Sequence, residues 1–502
     1  MSKCDRPNYF NTEHLRADLK RRSVRGGAVT IAAQISKFIL KFGSTALLAR
    51  LLLPEDYGLI GMATVVIGFV EYFKDLGLSA ATIQRREIDH QQVSTLFWIN
   101  VAVGCLVALV VASLAPAIAL FYQEPRLEGI TLALAVNFIF GGLTVQHQAL
   151  LRRQMQFASL AKIEIIAMAM GVIAAIIAAY YGSGYWALVL MLAVTAMTNA
   201  IGVWIACSWR PERPRLNSGV GSMLAYGGNL TGFGLVNYFS RNLDNILVGR
   251  YWGSQQLGLY AQAYKLLLLP IEQINNPVNS VALPTLSSLQ TEPEQYSRYY
   301  YQAILLIATL GMPIVAFMFA CTRPLVLVLL GEQWSETILI FRCLAPAAFV
   351  GTINVAEGWV YQSLAFTNRM FRWGVISAIC NAIVFLWSVR GGVTNLALAY
   401  SIYLVATKLP SIIYCYHPTP LRVMDLIRTI YRPAIAAIVS AAVVMLIEYW
   451  LAIEIQILID LLIYATIYAV SYISIWLLLP DGYSTLLNMI NIARNSRKNK
   501  MN

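Results

Sequence analysis

Charge is scarce in this chain. Asp, Glu, Lys and Arg make up 12% of its 502 residues, against 58% hydrophobic. A soluble globular domain carries about twice that charged share, so a water-soluble fold is excluded. Close-spaced cysteines are also missing. Cys4, Cys105, Cys207, Cys321, Cys343, Cys380 and Cys415 are scattered, mostly inside apolar segments. That excludes zinc, haem-attachment and redox-pair spacings, and reads them as small core hydrophobes. No metal site, cofactor or catalytic Asp/His cluster is expected. No basic run with interleaved aromatics accompanies the net charge of +12, which excludes nucleic acid as a partner. Residues 1–25 lack the apolar core and small-residue cleavage site of a secretory signal; they are polar and basic, and are expected to stay in the cytoplasm.

The chain does have continuous apolar blocks of about 20 residues, long enough to cross a bilayer as helices. Barrel strands would instead show short alternating segments. The fold class is therefore an all-α polytopic membrane protein. Fourteen spans are predicted, at 26–52, 58–78, 93–121, 128–150, 160–181, 184–207, 220–250, 256–286, 299–321, 336–365, 372–389, 393–416, 432–450 and 455–479. Pro270, Pro277 and Pro284 predict a kinked eighth helix. Arg323–Trp334 is expected along the interface, and Trp186, Trp252, Trp334 and Trp450 in an aromatic belt. Basic residues recur in alternate loops, among them Arg85, Arg86, Arg152, Arg153, Arg210, Arg213 and Arg215. The loops between them carry Glu55 and Asp56, then Glu124, Arg126 and Glu128, then Glu332 and Glu336, or no charge. This alternation predicts an even number of spans with both termini cytoplasmic.

The first span is stated twice. AVTIAAQISKFILKFGSTALLARLLL is followed by PEDYGLIGMA; 200 residues on, NLTGFGLVNYFSRNLDNILVGRYW is followed by GSQQLGLYAQA. Lys37 then falls on Asn237, Lys41 on Arg241, Ser44 on Asp244, Arg50 on Arg250 and Gly58 on Gly258. Internal duplication is a signature of transporters. Six helices per copy make the repeats parallel. The expected organisation is a cytoplasmic segment 1–25, an N-lobe 26–208, a linker 209–219, a C-lobe 220–417, an added helix pair 418–480 and a cytoplasmic tail 481–502.

Within the first copy Thr30, Gln34, Lys37, Lys41 and Ser44 recur at steps of three and four, which puts them on one helix face. A charge at mid-bilayer costs about 2.5–3.5 kcal/mol on insertion scales, so each intramembrane charge needs a reason. Besides Lys37 and Lys41 these charges are Arg241, Asp244, Lys265, Glu71, Lys74, Asp75, Glu272, Glu164 and Glu357, the last beside Asn354. Arg241–Asp244 could equally be an intrahelical pair. Lys74, Asp75, Arg50 and Arg250 could snorkel to the interface.

The pairing of ARLLLPEDYGLIGMA with VGRYWGSQQLGLYAQAY, the LDNILVG segment and the fourteen-span layout resemble bacterial polysaccharide flippases. These are Wzx-type exporters of lipid-linked oligosaccharides, in the polysaccharide transporter branch of the multidrug/oligosaccharidyl-lipid/polysaccharide superfamily. The resemblance covers essentially the whole chain. It implies two six-helix lobes around a cavity that alternates between the two sides of the bacterial inner membrane. It also implies a substrate of undecaprenyl pyrophosphate carrying one oligosaccharide repeat unit for exopolysaccharide, O-antigen or capsule, with polymerase and export machinery as partners. On that reading Lys37, Lys41, Arg241 and Lys265 form a cationic lining for the pyrophosphate, which needs charge-assisted donors away from water. Glu71, Asp244, Glu272 and Glu357 balance charge or couple an ion. Two other functions compete. A drug-efflux antiporter on the same scaffold would have twelve spans and an acidic cavity. A membrane-embedded polymerase or ligase would need a sizeable outer loop with catalytic groups. The expectation is a transporter, not an enzyme.

Overall fold

The computed structural model describes residues 19–75, 79, 82–83, 88–214, 221–451 and 456–485, and among these it is helical without strands. Fifteen helices follow in order. They are α1 (Leu19–Leu51), α2 (Pro54–Asp75), α3 (His90–Tyr122), α4 (Arg126–Arg153), α5 (Phe157–Tyr180), α6 (Trp186–Ala206) and α7 (Gly221–Ser288). Then come α8 (Pro293–Ala320), α9 (Thr322–Leu329), α10 (Thr337–Gly351), α11 (Asn354–Ser363), α12 (Thr367–Ser388), α13 (Val393–Tyr416), α14 (Val423–Leu451) and α15 (Ile457–Leu478). Where described, each of the fourteen expected segments is helical, with the seventh and eighth both on α7 and the tenth divided between α10 and α11. Among the described residues ten helical stretches are long and apolar enough to cross a membrane. The protein is a multi-pass helical membrane protein.

Local chemistry explains the helix ends. Asp89 Oδ1 accepts from the Gln92 amide at 2.6 Å while Gln92 Oε1 accepts from the Asp89 amide, a reciprocal cap that starts α3. Asp56 Oδ2 accepts from the Leu53 amide at 2.9 Å and fixes the entry to α2, whose first residue is Pro54. Met155 and Ala365 stand in the left-handed region, at φ 54° and 57°, between α4 and α5 and between α11 and α12. The same turn thus recurs in each copy of the repeat.

Four details differ from the sequence reading. Helix α7 runs past Pro270, Pro277 and Pro284, and its interruption is at Gly253, at φ 79°, ψ −177°. A left-handed φ suits a residue without Cβ, so the turn between the two spans collapses to one glycine. The tenth span is broken into α10 and α11 around Thr352 and Ile353. Asn275 Nδ2 donates to the Thr352 carbonyl at 3.2 Å, supplying a partner where the helix ladder stops. Trp334 is fully buried rather than in an interfacial belt, whereas Trp186, Trp252 and Trp450 are exposed. Cys105 and Cys380 are exposed as well, so the core reading of the cysteines holds for Cys207, Cys321 and Cys415.

The chain forms two compact units, Met1–Gly258 and Leu259–Asn502. In the first, α3 packs on α4, α5 on α6, α1 on α5 and α4 on α6. Small residues allow the close approaches: a Cβ on Gly104 would meet the Phe138 carbonyl at 2.7 Å, and one on Gly142 the Asn100 carbonyl at 2.5 Å. His147 is buried and stacks on Trp204 at 4.5 Å, with Phe97 and Trp209 edge-on around it. In the second unit α8 packs on α14, α10 on α13 and α14 on α15. Its core is rich in tyrosine, and several of the hydroxyls are paired: Tyr296 with Ser363 at 2.8 Å and Tyr300 with Tyr416 at 2.9 Å.

Candidate functional site

The first unit encloses a cavity of about 640 Å³ between α1, α2, α4, α5 and α6. Its wall is mixed: Lys37 from α1, Asn137 and Gln148 from α4, Glu164 from α5 and Asn199 from α6 stand among apolar side chains. Lys37 Nζ donates to Glu164 Oε2 at 2.6 Å, and the two side chains are 24% and 41% exposed. The polar stripe on the first span therefore faces the inside of this unit at Lys37. One turn further on, Lys41 is exposed and, among the described residues, has no ion-pair partner.

The second unit has a smaller polar site. Lys408 Nζ on α13 meets Glu357 Oε1 on α11 at 2.5 Å and Asn354 Oδ1 at 2.6 Å. The Ser411 hydroxyl donates to the other Glu357 oxygen. Lys408 and Glu357 are only 12% and 15% exposed, and both line a cavity of about 160 Å³ with Asn354 and Ser411. A charge this deep is tolerated because its partner and neighbouring hydroxyl and amide satisfy it.

The residues singled out from sequence thus fall in different places. Lys37 and Glu357 each lie in an ion pair on a cavity wall. Asp244 is buried and accepts from the Asn245 amide at 2.8 Å. Lys265 is half-buried and Glu272 exposed. The side chains of Arg241 and Glu71 lie outside the described residues. Two partners were given no such role from sequence. Glu164 counts in the sequence only as one of the intramembrane charges, and Lys408 is a lone cation inside a largely apolar helix of 24 residues. That isolation was the available signal. Outside the spans, Arg126 Nε meets Glu124 at 2.7 Å and its Nη2 also reaches Glu55, tying the loop before α4 to the start of α2. The Arg126 hydrogen bond holds the Glu124 carboxyl below its usual range against a smaller opposing effect of burial. Among the described residues no group of three or more His, Cys, Asp or Glu could hold a metal ion.

Residues 47–339 match the model of a family described as polysaccharide biosynthesis protein. The chain belongs to that family. Among polysaccharide biosynthesis proteins it is 26% identical over 307 residues to the teichuronic acid biosynthesis protein TuaB of Bacillus subtilis, an alignment covering 61% of this chain and 64% of TuaB. The chain thus spans a little under two thirds of that relative. It is 22% identical to the lipopolysaccharide biosynthesis protein WzxC of Escherichia coli, over 71% of this chain and 73% of WzxC. With the succinoglycan biosynthesis transport protein ExoT of Rhizobium meliloti it shares 24% identity, over 70% and 71% of the two chains. Among solved structures, the lipid II flippase MurJ in an inward closed conformation has the same fold: TM-score 0.71 at 13% identity, covering 90% of this chain and 98% of MurJ. An inward-facing multidrug resistance MATE transporter is similar at TM-score 0.59 and 12% identity, covering 78% and 95%.

Proposed function

We propose that this polysaccharide biosynthesis protein is a flippase. It moves undecaprenyl-pyrophosphate-linked oligosaccharide repeat units from the inner to the outer leaflet of the bacterial cytoplasmic membrane by alternating access. The observation that carries this reading is the family match across residues 47–339 on a multi-pass helical frame whose first unit holds a cavity with a mixed polar and apolar wall. The similarity to the succinoglycan biosynthesis transport protein ExoT and the MurJ-like fold support it. On this reading 26–208 and 220–417 are the duplicated lobes, 418–480 is an added helix pair, and the basic segments 1–25 and 481–502 are cytoplasmic. Lys41, Arg241 and Lys265 are assigned to the pyrophosphate; Glu71, Asp244, Glu272 and Glu357 balance charge or couple an ion. The chain works as a transporter without a catalytic step of its own. An inside-negative membrane favours the direction, by about 4–5 kcal/mol per 100 mV for two uncompensated negative charges.

The test is glycan export in a flippase-deleted host supplied with this chain or with Lys41→Ala/Arg241→Ala, at matched membrane levels. Restored surface glycan with the wild type, and lipid-linked units retained inside with the double variant, are expected. Normal export by the double variant would remove those two cations from the site. A second reading, drug efflux, draws on the MATE-like fold. Drug resistance conferred by the wild type without glycan export would favour it.

A further inference from the structure

We infer that the cavity inside the first unit is a subsite for the uncharged, hydroxyl-rich part of the substrate, its sugar, and not for the pyrophosphate. This rests on the flippase reading and assigns one part of the substrate to one set of residues.

The first argument is charge. Among the described residues lining the cavity, Lys37 and Glu164 are the only charged groups, and they are paired at 2.6 Å. A pyrophosphate placed there would have to compete with a carboxylate already on the lysine. The described part of the wall is thus close to neutral, and an anion placed against it would meet no unpaired cation there.

The second argument is unused hydrogen-bonding capacity. Asn137 Oδ1 is buried with no partner. Among the described residues, the Gln148 and Asn199 amides also make no hydrogen bond to the protein, although both line the cavity. Two amides, Gln148 on α4 and Asn199 on α6, therefore line one space with donors and acceptors to spare. An ammonium has three donors and a carboxylate two acceptor oxygens, so the Lys37–Glu164 pair keeps capacity beyond its own contact. Side-chain amides, like sugar hydroxyls, offer both donors and acceptors, so these groups can pair with the hydroxyls of a sugar. Phe140 on the same wall gives an apolar surface for the carbon face of a pyranose ring. A volume of about 640 Å³ lies in the range of pockets that enclose small organic ligands.

The test uses cysteine protection on the full-length chain in nanodiscs. Asn199→Cys and, independently, Gln148→Cys are labelled with a small maleimide, and the unsubstituted chain, labelled in parallel, gives the background from the native cysteines. Two probes are added: the undecaprenyl-pyrophosphate-linked repeat unit extracted from a host whose export this chain restores, and undecaprenyl pyrophosphate without sugar. Retention of each probe by the unlabelled protein is measured in parallel. At a probe concentration of about ten times its Kd, the sugar-bearing lipid is expected to slow labelling at both positions about tenfold, and the bare lipid to leave it unchanged. Equal protection by the bare lipid would overturn the assignment in favour of an anion site. Retention of the sugar-bearing lipid without protection at either cysteine would overturn the cavity assignment and leave the flippase reading standing. If the chain restores export in no host and retains neither lipid, both fall together.

Discussion

Gly58 and Gly258, which stand at matching places in the two copies of the repeat, lie backbone against backbone. A Cβ on Gly58 would run into the Ser254 carbonyl; one on Gly258 would run into the Pro54 carbonyl and come within 3.1 Å of the Gly58 nitrogen. The obstacle in each case is main chain and cannot rotate away. Gly58→Ala or Gly258→Ala is therefore expected to cost at least the ~1–3 kcal/mol typical of overpacking, lowering the thermal unfolding midpoint in detergent. Gly43→Ala is the control. Nothing lies within 4 Å of its Cβ position in the middle of α1, so that change should be neutral or slightly stabilising.

Glu357 and Lys408 should behave as a unit. Glu357→Gln or Lys408→Met alone leaves a buried charge without its partner, at a cost of about 3–5 kcal/mol. The double variant should be markedly more stable than the sum of the two, because it removes both charges. A double-mutant cycle of unfolding free energies checks this, and additivity would show that the pair is not coupled.

Glu124 gives a pH signature. Its carboxyl is held below the usual range mainly by the Arg126 hydrogen bond, so the folded state binds its proton later than the unfolded one does. The contribution is complete above the ordinary glutamate value of about 4.3 and is lost as pH falls through the lowered native value. The wild type should exceed Glu124→Gln in unfolding midpoint at neutral pH, and the gap should close on acidification. A constant gap would mean that the loop pair does not stabilise the fold.

Trp204 stacks on His147 and donates its indole N–H to the Leu143 carbonyl at 3.0 Å. Trp204→Ala should cost about 3–5 kcal/mol. Trp204→Phe keeps a ring for the stack and should lose about 1 kcal/mol, the worth of the hydrogen bond. Equal losses in the two variants would show that the ring stack contributes nothing.

The spans could be read in the sequence because the bilayer imposes length and composition on each segment separately. The Val393–Tyr416 helix has the limits its apolar run predicts. Which helix faces which was not readable. The three-and-four spacing puts Lys37 on a polar face, but its partner Glu164 is 127 residues away. Periodicity ranks faces within a helix and carries no information on how two helices are rotated against each other. The break between α10 and α11 was hidden for a related reason. Residues 336–365 contain no proline or glycine at the break itself, Thr352 and Ile353, and the interruption is sustained by Asn275 on another helix.

The Glu357–Lys408 pair also bears on how the protein is made. Glu357 enters the membrane 51 residues ahead of the lysine that neutralises it. Released alone into lipid, α11 would carry an unpaired carboxylate, at about 2.5–3.5 kcal/mol on insertion scales. The segment from α10 to α13 is therefore best inserted as one block, with the earlier helices kept beside the translocation machinery until α13 emerges. A ribosome stalled before Lys408 would hold a nascent chain whose tenth span is still easily extracted. A few dozen residues later, the same span would be locked in by its counter-ion.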